Sequence, residues 1–160
     1  MTSPDDYLIL VSVEDNVYSN WQLELLVHSF SQMGMKKKVN NCIIKPENIC
    51  AVVHTNETGL SKYFMEIVNH YGIKHIRTRN FGADNIISYF SREGITTDSY
   101  KSKNKTCCFG AAFTEGIFEQ YKYTVLVDPD MYAYEYVDVQ KFPTRRTAIA
   151  EHWMTDHPVI

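Results

Sequence analysis

Three short runs constrain this chain more than any other feature: YLILVSV (7–13), ICAVVHT (49–55) and YKYTVLVD (121–128) are apolar, β-rich and without helical spacing. A strand with one face in water alternates apolar and polar residues, so the near-continuous apolar character of YLILVSV marks an interior strand covered on both faces. The covering layers must be helices, and the segments between the runs carry their period. After the first run a polar break (Asp15, Asn16, Ser19, Asn20) leads into WQLELLVHSFSQMG, where Trp21, Leu25, Leu26 and Phe30 recur at helical intervals before Gly34 ends the pattern. Trp21 and Phe30 are assigned to packing. After the second run, polar HTNETG leads into GLSKYFMEIVNHYG, which puts Leu60, Phe64, Ile67, Val68 and Tyr71 on one face and closes on Gly72. IKHIRTR (73–79) reads as a third strand, FGADNIISYFSREG (81–94) as one helix, TTDSYKSKNKT (96–106) as a polar basic loop and CCFGAAFTEGIFEQ (107–120) as a helix of small residues.

Strands alternating with helices, with polar loops at strand ends, predict an α/β fold: a Rossmann-like, mostly parallel sheet with helices on both faces. With 160 residues, 44% of them hydrophobic, the chain can bury one such core, so a single domain over residues 1–160 is expected.

A net charge of −3 gives no general attraction for nucleic acid or an anionic membrane. Basic character is confined to short stretches at 36–38, 101–105 and 141–146, and Lys36–Lys38 reads as a solvated helix end. The N-terminus is acidic and no apolar run approaches the roughly eighteen residues of a membrane span, which points to a cytoplasmic protein. Cys42, Cys50, Cys107 and Cys108 lack the paired spacing of a zinc site, and the six histidines are scattered, so reduced thiols and no protein-built zinc centre are expected.

The third run stops on Asp128-Pro129-Asp130. In open α/β sheets, ligands gather beyond the carboxyl ends of the strands, where this pair falls. Alternation along an extended segment aims residues 128 and 130 to one side, and like charges held close call for a cation. A hard ion such as Mg2+ or Mn2+ accepts one or two carboxylates and completes its shell with water and diphosphate oxygens, so a phosphate-bearing ligand is the natural third partner. The competing reading is a simple turn, since Asp and Pro both favour turns.

VLVDPDMY resembles the D-x-D segment of GT-A glycosyltransferases, and it follows a βαβ region as it does in them. SNWQLELLVHSFSQMG resembles the first-helix segment of hydroxyproline O-arabinosyltransferase-like and peptidyl serine galactosyltransferase-like enzymes. NKT before CCFGAAFTEGIF is similar to their Asn-Arg/Lys-Pro segment, with Thr106 where proline is usual. The resemblance implies a metal-dependent transfer of sugar from a nucleoside diphosphate, uridine diphosphate above all, to an acceptor hydroxyl on a peptide, a glycan or a modified DNA base. It implies Asp130 as the main ligand of Mn2+ or Mg2+, and Asp128 on the metal or the ribose. Val11, Ser12, Val13 and Glu14 would border the nucleoside, with Thr55 and Asn56 at the matching edge unless they cap the next helix. Asn104 and Lys105, after Lys103, would meet the diphosphate, and Arg77 and Arg79 are further candidates for phosphate. His152 and His157 stand where the family often has a late metal-binding histidine, beside Glu151 and Asp156, unless this stretch is a solvated tail. No residue is singled out as a catalytic base.

GT-A enzymes continue well past this motif, whereas about thirty residues follow it here, so a donor-binding portion or an unusually small enzyme is expected. A non-catalytic nucleotide-sugar-binding module completed by another chain is the alternative. A phosphohydrolase of the haloacid dehalogenase type also ends a strand in Asp-x-Asp, but there the motif opens the chain. Nucleotidyltransferases carry a Gly-rich basic loop after the first strand, and none stands here.

Overall fold

A computed structural model describes residues 4–36, 44–83, 85–88, 96–99 and 103–133. Four strands, β1 (Tyr7–Glu14), β2 (Ile49–His54), β3 (Lys74–Thr78) and β6 (Tyr123–Val127), form an all-parallel sheet in the order β3-β2-β1-β6. Two more, β4 (Asn85–Ser88) and β5 (Thr96–Ser99), pair antiparallel as a separate ribbon. The helices are α1 (Val17–Lys36), α2 (Lys62–Tyr71) and α3 (Lys103–Thr114). The α/β class and the parallel sheet expected from the apolar runs are what the chain adopts.

Strand periodicity divides the core in two. The odd residues of β1 (Tyr7, Ile9, Val11, Val13) and Ile49, Ala51 and Val53 of β2 pack under Leu23, Leu26, Val27 and Phe30 of α1 and Phe64, Ile67 and Val68 of α2. Even residues Leu8, Leu10, Cys50 and Val52 pack on the opposite face against Cys108 and Ala112 of α3. Helices therefore cover both faces, and β1 carries an apolar run because it has no solvent-facing side.

The helices differ from expectation in instructive ways. α1 begins before Trp21, because Asn16 caps it: its Oδ1 accepts the Ser19 N–H at 2.8 Å. Helix α1 also continues through Gly34 to Lys36. The buried stripe is Leu23, Leu26, Val27 and Phe30, spaced i, i+3, i+4, i+7, so Trp21 (51% exposed) and Leu25 face outward and the packing assignment of Trp21 is corrected. Thr55 and Asn56 do not cap α2. Ser61 does, accepting from the Phe64 N–H, and the helix closes on left-handed Gly72 (φ 70°). Lys103–Lys105 do not precede α3 but form its first turn, and the helix stops at Thr114, with a short 3-10 turn over Ile117–Gln120. Part of the single helix expected over 81–94 is strand β4, paired through Ile86 and Ile87 with Thr97 and Asp98 of β5 within what was expected to be loop; β-branched residues favour the extended form.

The loop after β1 is tied to α2 by one carboxylate. Asp15 accepts from the Ser61 N–H (2.6 Å) and hydroxyl (2.5 Å) and from Asn20 Nδ2 (2.9 Å). Ser61→Ala removes both a helix cap and a donor to Asp15, so the unfolding free energy should fall by about 1–3 kcal/mol. A lower urea midpoint with an unchanged denaturant slope is the expected reading.

Candidate functional site

The strand order reverses at β1. The chain steps from β1 to β2 and β3 in one direction, and β6 lies on the other side. Such a reversal opens a crevice beyond the strands' carboxyl ends, because the flanking connections leave in opposite directions. The last β1–β6 pair is Val11 with Val127, so the next residues on the two strands are Ser12 and Asp128. A cleft of about 450 Å³ lies there, lined by Ser12, Val13, Glu14, Asn16, Tyr18, Ser19, Asn104 and Lys105.

Of the residues singled out from sequence, Ser12, Val13, Glu14, Asn104 and Lys105 line the cleft, and Asp128 joins them through Lys105. The Lys105 ammonium lies 2.6 Å from Asp128 Oδ1 and 2.8 Å from Oδ2, both side chains partly exposed. Val11 does not line it: it is wholly buried in the core on the other face. Thr55 and Asn56 do not line it either. Thr55 Oγ1 accepts the Glu57 N–H, and Asn56 Oδ1 accepts the Asn80 N–H. Arg77 donates to the Glu57 carbonyl and Arg79 lies over the Phe81 ring at 4.6 Å, at the β3 edge. Glu151, His152, Asp156 and His157 lie outside the described residues.

Residues 128–131 are not extended. The Met131 N–H donates to the Asp128 carbonyl (3.2 Å), closing a turn with Pro129 at its second position. Strand alternation thus does not relate the two carboxylates; the turn does, and Asp130 is exposed. The segment beyond is pinned to α1, where buried Ser29 accepts the Ala133 N–H at 2.9 Å while donating to the Leu26 carbonyl. Among the described residues no group of three or more His, Cys, Asp or Glu is gathered to hold a metal ion.

The inner wall is a network of amides in which Asn104, singled out from sequence, is joined by Asn80 and Asn16, to which the sequence assigned no site role. Asn104, 4% exposed, donates from Nδ2 to Glu14 Oε1 (3.2 Å) and Asn80 Oδ1 (2.8 Å), and its Oδ1 accepts the Gly82 N–H (2.8 Å). Asn16 Nδ2 donates to Glu14 Oε2 (3.2 Å). Beneath Ser12 lies His54, 1% exposed, with Nε2 3.0 Å from Ser12 Oγ and Nδ1 3.2 Å from the Arg79 carbonyl. His54 is discoverable only once β1 and β2 are in register, because Ser12 and His54 are 42 residues apart. Cys50 and Cys108 are buried free thiols, pushed up by burial to about 12 and about 11, which makes them inert at neutral pH.

No family model, no curated protein and no solved structure matches the chain. Among the described residues, no helix is long and apolar enough to cross a membrane.

Burial holds His54 below the ordinary histidine value of 6.5, only partly offset by its bond to the Arg79 carbonyl. A lowered folded value means that the unfolded chain takes up the proton first. The imidazole's contribution to stability is therefore complete above 6.5 and declines as the pH falls from there through the folded value. His54→Gln should make the urea midpoint less sensitive to acidification over that interval. An unaltered dependence would show that the ring is not held neutral.

Proposed function

We propose that this chain is the donor-binding domain of a metal-dependent glycosyltransferase, moving a sugar from a nucleoside diphosphate to an acceptor hydroxyl. The observation that carries the reading is the cleft at the reversal of strand order, with Lys105 and Asp128 at its edge. Crevices at this point of parallel α/β sheets suit nucleotides. The resemblance of the D-P-D segment to the GT-A motif supplies the reaction class.

In this reading Ser12, Glu14 and Asn16 face the nucleoside. Lys105 takes the diphosphate, aided by the positive N-terminal end of α3, whose first turn it occupies. Asp128 and Asp130 would hold the divalent cation, Mn2+ or Mg2+. When bound, the ion neutralises charge on the diphosphate leaving group. Lys105 can exchange Asp128 for phosphate oxygens at little cost, since exposed ion pairs of this kind contribute only about 0–1 kcal/mol.

Calorimetric titration with a uridine diphosphate sugar, with and without Mn2+, tests the reading. Mn2+ should tighten binding about tenfold or more, the scale of one charged contact, and Asp128→Asn or Asp130→Asn should abolish the gain. Indifference to nucleotide diphosphates and to Mn2+ would refute it. Release of uridine diphosphate from the sugar nucleotide in Mn2+ separates a transferase from a module that only binds.

A further inference from the structure

The Ser12–His54 pair fixes the hydrogen-bonding polarity of the cleft floor. A carbonyl oxygen only accepts, so His54 Nδ1, 3.2 Å from the Arg79 carbonyl, carries the ring proton. In the neutral ring Nε2 then holds a lone pair. The 3.0 Å contact between Ser12 Oγ and Nε2 is therefore donated by the serine hydroxyl.

Ser12 has one hydroxyl proton, and His54 takes it. What Ser12 presents to the cleft it lines is lone pairs alone. Glu14, on the same face of β1, is also an acceptor. The buried amide of Asn104 adds no donor to the cleft, since Nδ2 serves Glu14 and Asn80 and Oδ1 accepts from Gly82. Acceptors at the strand end therefore contrast with the Lys105 cation.

We propose that Ser12 is a specificity-determining residue of this cleft, accepting a hydrogen bond from the ring N–H of a nucleobase, and that His54 is the positioning residue that fixes its polarity. The inference rests on the nucleotide reading above and deepens it. Uracil and guanine carry a ring N–H on their pairing edge. Cytosine and adenine carry a ring lone pair there, which would face the lone pairs of Ser12 and leave both unpaired at a cost of about 1–3 kcal/mol. The site therefore selects uridine or guanosine diphosphates over cytidine and adenosine diphosphates.

The test titrates the whole chain, in Mn2+, with the diphosphates of uridine, guanosine, cytidine and adenosine. Uridine or guanosine diphosphate should bind about tenfold to a hundredfold tighter than the other two, and comparing these two identifies the base. Ser12→Ala should collapse that ratio. His54→Gln, whose amide can donate or accept, should shrink it with Ser12 intact, whereas a merely structural histidine would weaken all four ligands alike. Should either variant fail to fold, the long-range proton–nitrogen spectrum of the unaltered protein decides: a proton on His54 Nδ1 is expected, and one on Nε2 overturns the proposal. Equal binding of all four nucleotides refutes this inference alone, while binding of none refutes it together with the donor-site reading.

Discussion

Strand β1 is the constraint on which the rest depends. It is hydrogen-bonded along both edges, to β2 and β6, and buried on both faces, so its residues have no freedom to slip. A one-residue shift would exchange the α1/α2 face for the α3 face and carry Ser12 and Glu14 into the larger core. The same register that seats Leu8 and Leu10 against α3 delivers Ser12 and Glu14, two and four residues later than Leu10, to the polar end of that face. The cleft is thus the continuation of the core beyond the point where the sheet stops being covered.

Buried polar groups at such an edge must be paired, and the pairing makes the cleft rigid. Asn104 joins α3 to the β1 end through Glu14 and to the β3 exit through Asn80, while Asn80 is tied to Asn56 after β2. Three strand ends and one helix start are stitched by four side chains. Asp15 does the same on the opposite side. Its burial pushes the carboxyl up, but hydrogen bonds from Ser61 and Asn20 outweigh this and hold it below its ordinary value. A ligand entering here meets a largely formed wall.

Much of the fold was legible, and what was not has identifiable causes. The apolar runs gave three sheet strands, β1 and β2 because strands covered on both faces write their burial into nearly every residue, β6 although it lies at the end of the strand order and is only partly buried, and IKHIRTR gave the fourth. Helix faces were less legible: Trp21 and Leu25 fit a helical period as well as Leu23 and Val27, and only the direction of the chain after the Asn16 cap decides which stripe faces the sheet. The β4–β5 ribbon was missed because Asn85–Ser88 is short and its partner, Thr96–Ser99, is polar. At the site, Ser12, Asn104, Lys105 and Asp128 were visible as polar residues at strand and helix ends. His54 and Asn80 were not, since their roles come from neighbours distant in sequence. The D-P-D segment carried both its signals at once, because the residues that bind hard cations are also those that make turns.

The central claim is that ligand binds where the strand order reverses, between the ends of β1 and β6. Backbone amide NMR during titration with a nucleoside diphosphate and Mg2+ tests it most directly. Shift changes should concentrate at Ser12–Asn16, Lys103–Lys105 and Asp128–Met131, with the β3 edge around Lys74–Arg77 unmoved. Changes centred on that edge, with residues 12–16 silent, would contradict the account.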